Sequence, residues 1–347
     1  VSSSAAFSTP PSAAATAPRE RGWWRLLAAV LVALAVPLVA QLRVTVPVEQ
    51  TMVLIGPAMA ACALAAWARG GRFWLFGAWG LLALWILGTR VPGAPLFDTL
   101  VRGWTLLLSG AFALVLIVGR SRPFFPRALI AVGLSTVVAT IVLLASGVEL
   151  VDVGRTIAGE SYRRLDAVTR LFESRAGTEE WQSLVRRFPA AAAIVDRGEA
   201  QLPKLAETAI TLFPALLALE SLAILALSWA LYHRSSRTRI GPPLSRLSEF
   251  RFNDQLVWGL ILGATLAVLP ALEDMRRTGL NVIVFFGALY ALRGLGVLSW
   301  FLAPGKPTPI WLVLAAVVAG PVVGVFALGL GLVDTWIDWR ARIRPAT

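Results

Sequence analysis

Uncharged apolar runs, each about the length that spans a bilayer, recur along this chain, and that feature leaves few folds open to it. In lipid a backbone has no water to bond, so such runs satisfy their own hydrogen bonds as helices. The sequence therefore predicts an all-α polytopic transmembrane bundle. Composition agrees: 57% of the residues are hydrophobic, only 15% are charged, and mean hydropathy is +0.72. Nine apolar segments can be drawn, at 26–42, 52–68, 73–88, 103–119, 128–148, 208–232, 256–272, 280–302 and 309–333. Tryptophans such as Trp23, Trp74, Trp104, Trp229, Trp258, Trp300 and Trp336 sit near their ends, as an interfacial belt requires.

The net charge of +12 comes from Lys and Arg gathered in short loops, where they orient spans and meet anionic lipid; this argues against nucleic acid as a partner. Arg19, Arg21 and Arg25 place the N-terminus in the cytoplasm. With nine crossings, Arg69/Arg72, Arg120/Arg122/Arg127, the 234–251 loop and Lys306 fall on that side too. Arg340, Arg342 and Arg344 then fall outside, against the rule, so one short segment does not cross as drawn. The expectation is eight or nine spans. The Ser-, Ala- and Pro-rich residues 1–22 form a disordered tail, and residues 23–150 hold the N-terminal membrane helices.

Residues 151–205 form a polar insertion, followed by C-terminal membrane helices over 206–343. Leu165, Val168 and Phe172, and then Trp181, Leu184, Val185 and Phe188, recur at helical spacing, with Pro189 ending the second helix. Two readings are open: helices lying on the membrane surface, or a lid over a cavity.

Chemical motifs are scarce. "PGKPTP" (304–309) lacks the upstream glycine of a phosphate loop, and "LGLGLVD" (328–334) lies inside an apolar run with no preceding strand. One cysteine, Cys62, and one histidine, His233, support neither a disulfide nor a metal site. The expectation is no catalysis, no metal and no cofactor. Charges inside the apolar runs are more informative, because a central arginine costs about 2.5–3.5 kcal/mol to insert and so faces protein or water. Glu220 and Arg293 are two such charges. Counted from their segment starts, both lie roughly 18–20 Å deep at 1.5 Å per residue, which predicts that they approach each other. Tyr290 and Asn281 add polar groups to the same spans. Asp334 and Asp338 share one helical face at a span end.

Four stretches carry a resemblance: "LFPALLALESLAILALSWAL" (212–231), "FRFNDQLVWGLILG" (250–263), "NVIVFFGALYALRGLGVLSWFL" (281–302) and "LGLVDTWIDWRARI" (330–343). They resemble the YybS-like family of bacterial membrane proteins, most specifically in the closing pattern Gly331, Asp334, Trp336, Asp338, Trp339 and Arg340. The resemblance covers about residues 23–343, carried mainly from 205 onward. The family often has glutamine where this chain has Arg293, so it implies a polar interior there rather than an obligatory positive charge. The family is similar to the substrate-binding S components of energy-coupling-factor (ECF) transporters. That implies a bacterial plasma (inner) membrane protein, partnered by a membrane coupling protein with cytoplasmic ATPases. It also implies a contact to the coupler through a small-residue pair, here Ala29 and Ala33. The expected function is transport or capture of a small solute between the sixth and eighth spans, with Glu220, Arg293, Tyr290 and Asn281 as ligand contacts. A membrane scaffold or assembly factor without transport is the other reading.

Overall fold

Each apolar run closes its backbone hydrogen bonds within itself, and proline stands at several of the starts. The computed structural model describes residues 48–89, 95–119, 122–176, 178–302 and 320–337, with Trp23 and Leu27. Among these residues the regular structure is helical, without strands. The α-helices are α1 (Val48–Trp67), α2 (Phe73–Gly88), α3 (Pro95–Val118), α4 (Phe124–Ala145), α5 (Leu150–Ala176) and α6 (Glu179–Arg187). They continue with α7 (Pro189–Ala200), α8 (Leu202–Thr211), α9 (Phe213–Ser235), α10 (Val257–Val268), α11 (Arg276–Leu302) and α12 (Gly320–Ile337). Pro95, Pro189, Pro203 and Pro214 all stand in first turns, where the missing N–H costs no intrahelical bond. Gly70, at φ 83°, supplies the left-handed residue that turns α1 into α2, and Gly147, at φ 70°, does the same after α4.

Four helical stretches are long and apolar enough to cross a membrane: Leu96–Val118, Phe124–Ala145, Phe213–Ser235 and Pro270–Phe301. Shorter apolar helices cover Val53–Trp67, Phe73–Gly88, Asp254–Val268 and Val322–Ile337. The expected first segment, 26–42, lies outside the described residues with Ala29 and Ala33, as does the first part of 309–333. The chain is thus a helical membrane protein, with four clearly apolar candidate spans and further shorter apolar helices among the described residues.

One core gathers α1, α3, α4 and α9 around Met59, Cys62, Leu108, Phe112, Leu116, Leu225 and Trp229, all fully buried. The α9 helix also packs on α11, which is flanked by α10 and α12. The basic connections meet at one end of the bundle. Arg69 donates to the carbonyls of Leu116 and Ile240, and Arg127 donates to Ile240 at 3.0 Å. The turn after α1, the α3–α4 connection and the α9–α10 loop therefore share this basic end.

The insertion starts from the opposite end. There Arg102 pairs with Asp98 at 2.8 Å and donates to the closing carbonyls of α2, Leu87 and Thr89, countering the negative pole of that helix. Leu165, Val168 and Phe172 of α5 are covered by Leu202, Leu205 and Ala206 of α8. The first amphipathic face is thus buried against the insertion itself rather than laid on lipid. Phe188 of the second face is exposed, and Pro189 opens α7.

A buried charge cluster and an apolar cavity

Two glycines let α11 and α12 meet backbone to backbone. A Cβ at Gly294 would land on the Ala327 carbonyl, and one at Gly331 on the Tyr290 carbonyl. This close crossing brings Arg293 onto Asp334. The Arg293 Nε donates to Asp334 Oδ2 at 2.9 Å and its Nη2 to the Asp334 carbonyl at 3.1 Å. Its Nη1 reaches Asp254 Oδ1 at 2.5 Å, at the start of the short helical turn that leads into α10. The guanidinium also lies 5.5 Å from the Phe252 ring centre, and Phe252 packs edge-on against buried Tyr290.

Burial makes the two carboxylates unequal. The side chains of Arg293 and Asp334 are 4% and 0% exposed, that of Asp254 59%. Burying a charge costs several kcal/mol, which charge-assisted bonds between opposite charges can offset. Arg293 and Asp334 each supply what the other's burial requires, whereas Asp254 is a rim partner already solvated. Arg293 thus faces protein and joins three segments of chain.

The expected approach of Glu220 to Arg293 is corrected by helix starts. The helix bearing Glu220 begins at Phe213, later than the apolar run, and the one bearing Arg293 begins at Arg276, earlier. Counted from those starts, Glu220 lies about 10 Å along its helix and Arg293 about 26 Å, at 1.5 Å per residue. The two starts are level, because Arg277 and Asn281 reach the α8–α9 break. The missing amide of Pro214 leaves the Ile210 carbonyl without its helical donor, and Arg277 Nη2 supplies one at 2.8 Å. Asn281 Nδ2 donates to the Thr211 carbonyl at 2.9 Å, and its Oδ1 accepts from the Ala215 amide at 3.0 Å. Asn281 is therefore a clamp on a helix break.

Glu220 instead faces a cavity of about 370 Å³ among α3, α4, α5 and α9. Leu100, Trp104, Val142 and Leu217 are among its walls, and Val153 and Ile157 of α5 line it at the insertion end. Trp104 Nε1 donates to Ser221 Oγ at 3.0 Å across this wall. Of the four residues expected around a ligand, Glu220 lines this cavity; Arg293 and Tyr290 belong to the charge cluster, and Asn281 to the clamp. The insertion thus contributes part of the cavity wall.

Asp334 of the closing motif is the buried partner of Arg293 in the charge cluster, while Trp336 is exposed and Asp338, Trp339 and Arg340 lie outside the described residues. Asp254 is a partner that hydropathy does not single out. The aromatic-rich stretch Phe250–Arg251–Phe252 ahead of it was the available signal for a buried cation's seat.

Residues 79–335 match the family described as "Predicted membrane protein (DUF2232)", and the chain belongs to that family. No curated protein and no solved structure matches it.

Proposed function

Starting from membership of a membrane family, we propose that the protein captures a small, largely apolar solute within the bilayer, as a transporter-like subunit. The observation that carries this reading is the cavity of about 370 Å³ with Glu220 in its wall and α5 lining its insertion end. Space of this kind, mostly apolar with a few convergent polar groups, is what small-molecule sites are made of. Glu220 and Ser221 would orient the polar part of the solute, and the leucines and valines would hold its body. The reading agrees with the resemblance to YybS-like proteins and ECF S components. It gives the chain no catalytic step and leaves energy to a coupling protein with ATPases. The basic end faces the cytoplasm of a bacterial cell by the distribution of arginine, so the insertion end of the cavity faces outward.

The scaffold reading draws on the same basic end, where arginine-rich loops are collected on one surface. The two readings separate on one experiment. The protein is extracted in mild detergent from native membranes and analysed by native mass spectrometry, beside an Ala139→Phe variant that fills the cavity. A reproducible small molecule on the wild type, absent from an equally stable variant, supports capture. A wild type that carries no small molecule but retains a stoichiometric protein partner refutes capture and favours the scaffold.

A further inference from the structure

The only histidine in the sequence sits between two acceptors. His233 is in the last turn of α9. Its Nδ1 lies 2.9 Å from the Trp229 carbonyl oxygen, and its Nε2 lies 3.0 Å from the Gly241 carbonyl oxygen. A carbonyl oxygen only accepts. A neutral imidazole carries one N–H, so it can satisfy one of these contacts while its other nitrogen turns a lone pair toward oxygen. The imidazolium donates to both. The Trp229 contact lies within α9, and the Gly241 contact joins α9 to the loop leading to α10.

That loop is held from several sides. Trp229 Nε1 donates to the Pro242 carbonyl at 3.2 Å, and Tyr232 donates to the Thr238 carbonyl at 3.1 Å. Arg69 and Arg127 converge on the carbonyl of Ile240. The same loop runs on to Phe252 and Asp254, which seat Arg293. We infer that His233 is a proton-operated clip: its imidazolium pins the 236–242 loop to the end of α9, and loss of the proton loosens it.

The ionisable groups brought to this corner are Arg69 from the α1–α2 turn, Arg122 and Arg127 at the start of α4, Cys62 of α1, Tyr232 and Arg234 on α9 itself, and Arg237 and Arg239 in the loop. Both carbonyls accept, so only the protonated ring bonds to both at once. The clip therefore closes as pH falls and opens as pH rises. This inference stands apart from what fills the cavity.

The test uses the full chain in lipid nanodiscs. Amide hydrogen exchange of peptides covering 236–246 is followed between about pH 5 and 8, the range in which histidine commonly titrates, with intrinsic exchange rates divided out. The wild type is expected to exchange about tenfold more slowly at the acid end, the scale of one charge-assisted hydrogen bond. His233→Gln is expected to lose this pH dependence. A pH-independent wild type overturns the inference, as does a variant that keeps the wild-type dependence. If the variant does not fold, nitrogen NMR of the single labelled histidine decides on the wild type alone. Two protonated ring nitrogens in the protected state support the clip, and one bare nitrogen there overturns it.

Discussion

Removing Asp334 and removing Asp254 perturb the same guanidinium, yet they should differ greatly. Asp334→Leu leaves Arg293, 4% exposed, with the backbone carbonyl at position 334, the Phe252 ring and the rim carboxylate of Asp254. Breaking a buried pair from one side costs about 3–5 kcal/mol, roughly a hundredfold or more in the folded fraction. Arg293→Met should cost a similar amount, because it strands the buried Asp334. Asp254→Asn removes a partner that water already solvates, and its cost should stay near the ~1 kcal/mol of exposed pairs. The double change Arg293→Met with Asp334→Leu removes both buried charges and should recover most of the loss. The assay is equilibrium unfolding in mixed detergent micelles, read by tryptophan fluorescence for the wild type, the single variants and the double variant. Equal costs for Asp254→Asn and Asp334→Leu, or a double variant no better than the singles, would refute the assignment of the buried pair.

Two further outcomes follow from the helix contacts. Gly294→Ala or Gly331→Ala pushes a methyl into a facing carbonyl and should cost about 1–3 kcal/mol in the same assay, the usual range for overpacking. Asn281→Ala removes the donor to Thr211 and the acceptor for Ala215, and should cost about 1–3 kcal/mol, seen as lowered thermal stability and faster exchange of the Ala215 amide.

The buried position of Arg293 was legible because hydrocarbon makes an unpaired guanidinium expensive, so the sequence alone required a polar or protein-facing environment. Its partner was not. Depth along an apolar run was measured from where hydropathy rises, whereas depth along a helix runs from where the backbone turns. Leu212 and Pro214 move one start inward, and the kinked 3-10 turn Pro270–Met275, ahead of Arg276, moves the other outward. The amphipathic spacing of Leu165, Val168 and Phe172 correctly marked a buried face. Spacing carries no information about which surface covers such a face, and here it is α8.

The sequence by itself determined a helical membrane protein, because the length and apolar character of its runs meet a solvent that tolerates no unbonded backbone. The tertiary structure decided which charges meet. Arg293 reaches Asp334 across 41 positions of chain because two glycines let their helices touch. Glu220 faces a cavity because α3, α4, α5 and α9 leave space beside it. Such proximities depend on the azimuth and register of helices far apart in the chain, which local hydropathy does not encode.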